Sequence, residues 1–333
     1  MTKMRLKKFA KNLKLWRLGF RSNALDIYRL NSPADLVDYL SFIERERTFK
    51  KLNRQVSHVI NNKYLFPRIL GKHGHLAPEN LAVIFGGRVM ETNLTGPDVL
   101  RQIIDGAGGR IVIKPAESLR ARGVKFVSIR DGKICVDGNI QTEKELLGSF
   151  NPDEVHIACP HIDHSKEFHK IFPNATTTVR VMTFFDDEQQ SAEMVCAIAR
   201  IGTQASAPFE TLILGGLTSE IDLKTGCLGG AIASRRFNGK PLDHVWDTHP
   251  DTGAQILGVC IPNWAEIKSD LLDLCNANPF FEMIGWDIIV TNGGFKILEA
   301  NHRPSQDIVQ MHLPMLQNPR LRRFLKRRGI HRR

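Results

Sequence analysis

Between Ile284 and Pro304 the chain reads IGWDIIVTNGGFKILEANHRP, and three of those residues could hold a cation. Asp287 precedes a short glycine-containing connection, and Glu299 and Asn301 follow it. The flanking runs IGWDIIV and FKILE are rich in β-branched and aromatic residues, so the stretch reads as a hairpin. With Asn292, Gly293 and Gly294 as its loop, Thr291 pairs with Phe295 and Asp287 falls opposite Glu299. Alternate residues of a strand share a face, which sets Asn301 beside Glu299. Two carboxylates opposed across strands repel, and a cation would remove that repulsion. All three donors are hard oxygens, the kind Mg²⁺ takes while it also grips phosphate. An exposed antiparallel face with two solvated acids would carry the same residues, and spacing alone leaves both readings open.

Other residues could meet an anion. Lys114 ends the apolar run RIVIK just before Pro115, where its ammonium could reach a phosphate as a point charge. The loop that follows, AESLRARG, ends at Gly123 but is poor in glycine, so it would cover a nucleotide loosely. Lys63, in NNKYLF, has nothing local that sets it apart from a surface lysine. Arg180 and Arg200 stand inside apolar β patterns, TTVRVMTF and MVCAIARIG. A half-buried guanidinium needs an anionic partner, and its planar fork suits carboxylate or phosphate. Beside the hairpin the two would make an anion site; otherwise they would pair with local acids such as Asp187 or Glu193. LILGGLTSEIDLKTG brings Gly215 and Gly216, which permit close backbone approach, and Asp222 near a turn. HPDTG places Asp251 in a turn-rich loop as a candidate anchor, and HIDH at 161–164 lacks a zinc-like spacing.

To position these groups the chain needs two α+β lobes. Residues 1–58 read as a basic helical extension, with Ser32 and Pro33 as an N-cap and first-turn pair. Residues 59–150 form a small lobe with strands LAVIF, RIVIK, VKFVSIR and KICVD, the last two joined at Asp131-Gly132. Residues 151–319 form a larger lobe with strands VHIAC, TTVRVMTFF and MVCAIARI, the hairpin, and helices over 264–276 and around 305–317. Residues 320–333 are a basic tail. Strands and helices mix without a βαβ rhythm, which gives α+β rather than a doubly wound sheet.

The 333 residues are 42% hydrophobic and 24% charged, the balance of a globular chain rather than a disordered one. No apolar run approaches the ~18 residues of a membrane span, and no signal peptide is read at the N-terminus. The six scattered cysteines, without a CxxC pair, fit reduced thiols in a cytoplasmic protein. Residues 1–21 and 320–333 each hold eight basic residues and no acid; removing those sixteen from 46 leaves 30 against 35 acids, so the net +11 belongs to the ends. Such ends could meet an anionic membrane surface, making the protein peripheral at the inner membrane, or stay solvated; nucleic acid is not expected. Phe9, Leu13, Trp16 and Phe20 form one apolar stripe among the basics. An interfacial helix has that pattern, but a helix docked on the protein's own core shows it too and is the expectation.

The ordered set NNKYLFPRIL, RIVIKP, TTVRVMT, ARIGT, ILGGLTSEIDLKTG, HPDTGAQILGVCIPNW and GWDIIVTNGGFKILEAN resembles an ATP-grasp enzyme. More narrowly it resembles the sugar-transfer-associated branch related to α-L-glutamate ligases, over roughly residues 61–318. The resemblance implies an ATP-grasp fold with an N-terminal helical extension and ATP held between two lobes. It assigns Lys63 and Lys114 to ATP phosphates, with Gly123 in the covering loop and Cys159, His161 and Ile162 in the hinge beside adenine. Asp287, Glu299 and Asn301 match the magnesium ligands, and Arg180 and Arg200 match arginines at the γ-phosphate or acyl-phosphate region. Glu210, Gly215, Gly216, Asp222 and Asp251 fall on the substrate side. The implied reaction joins a carboxylate to an amine through an acyl phosphate with ATP and Mg²⁺, and the branch name points to polysaccharide or cell-surface glycan assembly. Departures are Arg120 and Arg122 in a covering loop that is usually glycine-rich, and Ala158-Cys159-Pro160-His161 without the usual hinge Glu or Gln. Thr177 stands for an expected Asn, and Glu210-Thr211 for an expected Asp-Asn. A kinase with a hydroxyl acceptor and a non-catalytic nucleotide-binding scaffold are the alternatives.

Overall fold

The computed structural model describes residues 3–90, 92, 94, 98–117, 122–233 and 244–331, with side chains from residue 9 onward. The chain opens with helices α1 (Lys3–Arg17), α2 (Ala24–Tyr28), α3 (Phe42–Lys51), α4 (Ser57–Asn61) and α5 (Phe66–Ile69). Strands β1 (Ala82–Phe85) and β2 (Arg88–Met90), helix α6 (Val99–Gly106), β3 (Arg110–Pro115), β4 (Lys125–Arg130), β5 (Lys133–Val136) and β6 (Asn139–Gln141) follow. Then come α7 (Glu143–Gly148), β7 (His156–Pro160), α8 (Lys166–Ile171), β8 (Thr178–Asp186), β9 (Ser191–Ile201), β10 (Leu217–Ile221) and β11 (Leu228–Ala233). Last are α9 (Trp264–Ala277), β12 (Met283–Thr291), β13 (Gly294–Asn301), α10 (Gln306–Gln310) and α11 (Pro319–Arg327). The chain divides into two compact units, one of residues 1–57, 164–295 and 300–333, the other of residues 58–163 and 296–299.

The second unit is built on an antiparallel sheet ordered β2-β1-β7-β3-β4-β5-β6. Its core is aliphatic: Ile84, Leu100, Ile104, Ile111, Ile113, Leu146 and Ala158 are fully buried. The β4–β5 turn sits where Asp131-Gly132 places it, both residues at positive φ (48° and 71°), the conformation a tight hairpin demands. Helix α7 starts on a capping box in which Thr142 and Glu145 satisfy each other's backbone N–H groups.

The first unit carries a sheet ordered β11-β10-β9-β8-β12-β13. Every residue of β8 and all but the last of β12 are buried, so these two form its centre. The core beneath joins Leu40 and Leu52 from the N-terminal region to Met182, Phe184 and Ile198 of the sheet. Leu321, Phe324, Leu325 and Ile330 from the C-terminal end complete it.

Several expectations change here. Residues 1–57 and the 320–331 segment are not an extension and a tail; both are packed into the first unit. Arg320 and Arg327 pair with Asp186, Arg327 also with Asp187 and Glu188, Arg328 with Glu282, and Arg322 with Asp38. The second unit extends to Asp163, past Phe150, because β7 pairs with β1 and β3. Among the described side chains of α1 Leu15 is the buried one; of the apolar stripe Phe20 is buried, while Phe9 and Trp16 face out. Cys227 and Cys260 form a disulfide between facing bridge partners, which corrects the reduced-thiol reading for those two; the other four cysteines are free and buried. The β12–β13 connection is Asn292-Gly293, one residue shorter than expected, with Gly294 already in the strand. No helix among the described residues is long and apolar enough to cross a membrane.

Candidate active site

In the second unit, a small, partly open pocket is lined by Lys63, Phe66, Asn80, Lys114, Cys159 and Leu298, among others. Lys114 comes from the inner strand β3, paired with Ile157 of β7. It is only 9% exposed, and among the described residues its ammonium has neither a hydrogen-bond acceptor nor an ion-pair partner. Lys63 is fixed by its backbone N–H, which donates to the Ala116 carbonyl at 2.8 Å, and its Nζ lies 3.5 Å from Glu299 Oε2. The two lysines therefore approach one pocket from two segments, 51 residues apart in number, through the pairing at Pro115-Ala116.

Cys159, from β7, lines the same pocket and donates its thiol to Asn80 Oδ1 at 3.5 Å. Burial pushes the thiol's pKa up, against the pull of the nearby Lys114 charge. His161 and Ile162 are not among the pocket-lining residues. Burial, then the charge of Arg110, lowers the His161 pKa, while Asp163 opposes. Gly123 has φ +75°, and a Cβ there would come within 2.9 Å of Pro115 Cγ, so glycine is needed at that corner. Arg122 is exposed; Arg120 lies outside the described residues.

In the first unit, Arg180 of β8 stands directly opposite Asp287 of β12. Its Nε and Nη2 donate to the two Asp287 oxygens at 2.5 and 2.8 Å, and both residues are buried. Arg200 of β9 pairs with Glu210 at 2.5 Å, donates to Thr178 Oγ1 at 2.9 Å and lies 3.6 Å from Asp287. Thr178 in turn donates to Glu210 at 3.0 Å. Arg200, Arg180 and Asp287 thus lie on three adjacent strands, β9, β8 and β12, with Glu210 reaching in from the loop after β9. The acids they meet are Asp287 and Glu210 rather than the local Asp187 and Glu193. Asn301 donates its amide to Asp287 Oδ2 at 3.4 Å.

The donor types suit Mg²⁺: carboxylates on Asp287 and Glu299 and the amide oxygen of Asn301 are hard ligands. Asp287 and Asn301 are brought together, while Glu299 belongs to the second unit. Among the described residues no group of three His, Cys, Asp or Glu side chains could hold a metal. Asp287, Glu299 and Asn301 supply two such side chains and an amide. For Asp287 to ligate a metal, the Arg180 fork must yield at least one oxygen.

The remaining expected residues are explained by the fold around them. A Cβ at Gly216 would lie 2.7 Å from the Glu210 carbonyl oxygen, so the double glycine lets the backbone pass close to Glu210, and Gly215 accepts a bond from Thr203. Asp222 accepts from Lys224 N, Thr225 N and Thr225 Oγ1 in its own turn; these bonds hold its pKa down, the Thr225 hydroxyl foremost. Asp251 accepts from the Gln204 N–H at 2.7 Å. Neither Asp222 nor Asp251 bonds to the Arg200 cluster. Thr178 and Asn80 were missed; Thr178 could have been found from its place two residues before Arg180, on the same strand face.

A family model described as sugar-transfer associated ATP-grasp matches residues 44–324, most of the chain. Comparison with curated proteins gives no significant match. Among solved structures, D-alanine–D-alanine ligase from Bacillus anthracis is 16% identical, over 81% of this chain and 69% of that one, with a TM-score of 0.41. A RimK domain ATP-grasp protein from Sphaerobacter thermophilus is 10% identical over 80% and 68%, also at 0.41. The Coxiella burnetii D-alanine–D-alanine ligase is 11% identical over 81% and 59%, at 0.39. Likeness at this level does not identify a shared substrate.

Proposed function

Because the chain belongs to the sugar-transfer-associated ATP-grasp family, we propose that it is an ATP- and Mg²⁺-dependent carboxylate–amine ligase working through an acyl phosphate. Its place would be polysaccharide or cell-surface glycan assembly in the cytoplasm. The observation that carries the ATP part is Lys114. A lysine buried like Lys114, with no anionic partner among the described residues, is costly, and a phosphate arriving in the adjoining pocket would remove that cost. Lys63 would share the phosphate, and the apolar pocket wall beside Cys159 would take the adenine.

Phosphoryl transfer asks little covalent chemistry of the protein; positioning and charge stabilisation do most of the work. Lys63 and Lys114 would neutralise charge as the phosphoryl group leaves ATP. Arg180 and Arg200, released from Asp287 and Glu210 by a competing phosphate, would hold the acyl-phosphate oxygens with their planar forks. Mg²⁺, when bound, would offset charge on the transferred group, with Asp287, Glu299 and Asn301 as its oxygen donors. No side-chain nucleophile is needed.

The second reading, a nucleotide-binding scaffold without turnover, is favoured by the Arg180–Asp287 and Arg200–Glu210 pairs, which satisfy the would-be catalytic groups internally. The two separate in one assay: Mg²⁺-dependent ATP consumption by wild type and Lys114→Met, offered pooled amino acids, amino sugars and uronic acids. ADP formed only with a carboxylate-plus-amine pool, and lost in Lys114→Met, is the outcome expected of the ligase. Phosphorylated product without amide would make it a kinase. ATP bound but unconsumed in every pool would favour the scaffold, and undiminished ATP binding by Lys114→Met would remove the lysine from the argument.

A further inference from the structure

Helix α1 has two faces with different fates. Leu15 is fully buried and anchors the helix among Phe20, Leu25 and Leu36. Phe9, Leu13 and Trp16, at spacings of four and three, share another face. Phe9 is 56% and Trp16 53% exposed and Leu13 is half-buried, so the core leaves both aromatic residues of that stripe uncovered. Arg17 borders that stripe and Lys14 and Lys11 continue round the helix from it; all three are exposed, and among the described residues their side chains have no hydrogen bond or ion pair. There is no acid anywhere in residues 1–21.

The C-terminal arginines make the contrast. Arg320, Arg322, Arg327 and Arg328 are occupied by acids of their own unit, so much of that positive charge is already compensated. At Lys11, Lys14 and Arg17 of α1 the charge has no acidic partner among the described residues and coincides with exposed aromatic residues.

We propose that the Phe9–Leu13–Trp16 face of α1 docks in the plane of an anionic lipid surface. An amphipathic helix with Trp and Phe on one side and lysines around them sinks its aromatic side to the headgroup boundary while the cations stay with the anionic headgroups. A nucleic-acid duplex, its bases already stacked, would use the cations and leave the aromatic stripe in water. The lipid surface uses both. Docking of this kind is peripheral.

The test is sedimentation of the full chain with vesicles of phosphatidylcholine alone and of phosphatidylcholine mixed with phosphatidylglycerol. Binding is expected to the anionic vesicles only, and to weaken by more than about tenfold between low and high salt. Each basic residue near such a surface contributes about fivefold, so Lys11→Glu/Lys14→Glu/Arg17→Glu should lower binding by more than about 100-fold. Phe9→Ser/Trp16→Ser should abolish it at any salt. Tryptophan emission should shift to the blue on anionic vesicles, and Trp16→Phe should remove that shift. All these side chains are exposed, and unchanged circular dichroism would show that each variant folds. Arg323→Glu/Lys326→Glu, at exposed positions of α11, should bind as wild type. No binding to anionic vesicles would overturn the proposal, as would equal binding to both vesicle types. So would equal loss in the α11 variant, or a self-associated chain that Phe9→Ser/Trp16→Ser converts to monomer, which would make the occupant a second copy.

Discussion

Arg180 and Asp287 lie 107 residues apart in the chain and face each other in register across β8 and β12, both out of water. Taking one partner from such a pair leaves an uncompensated buried charge, which costs more than the pair itself contributes. Asp287→Ala is therefore expected to lower stability by about 3–5 kcal/mol, read from urea unfolding midpoints. Arg180→Met/Asp287→Leu should recover most of that loss. An inactive Asp287→Ala enzyme would thus report on folding as much as on a metal, and Asp287→Asn, which keeps the size and one oxygen, is the better probe of ligation. That Arg180 and Arg200 need anions is legible from their apolar surroundings in the sequence. Which anions is not, because the strand register that chooses Asp287 is set by β8 and β12 meeting across a long loop of chain. From its own surroundings Lys114 was legible only as a lysine at a strand end, and the family resemblance alone tied it to phosphate; its burial, and the lack of a partner among the described residues, are properties of the folded pocket.

Helix α11 shows the same divide among whole elements. Its sequence, PRLRRFLKR, looks like a solvated basic end if charge is counted, yet Leu321, Phe324 and Leu325 recur at helical spacing and are fully buried. The period was available and the charge density hid it. Phe324→Ala is expected to cost about 3–5 kcal/mol, while Arg323→Ala, on the exposed side, should stay within about 0.5 kcal/mol in the same denaturation experiment. Strands whose side chains alternate cleanly, and the Asp131-Gly132 turn, were readable locally. Strands β10 and β11 were not: LTSEI is half polar and LGGAIA carries two glycines, so neither has a strong strand preference on its own. They exist because β9 offers an edge to pair with. The Cys227–Cys260 pair was missed for a similar reason, since 33 residues of separation say nothing about facing backbones.

For the molecule as a whole, acid should be the sensitive variable. Burial, helped by the charge of Arg29, pushes the His312 pKa down to about 3, while its ring bonds to the Thr218 hydroxyl. In the unfolded chain the ring titrates near its ordinary ~6.5, so between those values the unfolded state binds the extra proton. The stability contributed by neutral His312 is whole above about pH 6.5 and is lost as pH falls toward 3, on the order of 5 kcal/mol at most. Asp187, held below the usual carboxylate range by Arg327, adds a further loss below its unfolded pKa. Urea midpoints measured from pH 7 to pH 4 should fall steadily in wild type and more gently in His312→Gln. At this scale the sequence disclosed an α+β chain and the site of its charges, but not that both ends share one core. That sharing bears on how the protein is made. Leu40 and Leu52, on either side of α3, pack with Leu321, Phe324, Leu325 and Ile330, so they cannot complete their burial until residues 321–330 have also been synthesised. Until then the segment around α3 would present apolar surface to whatever binds nascent chains, and a product cut short before residue 321 would be one that chaperones hold rather than release.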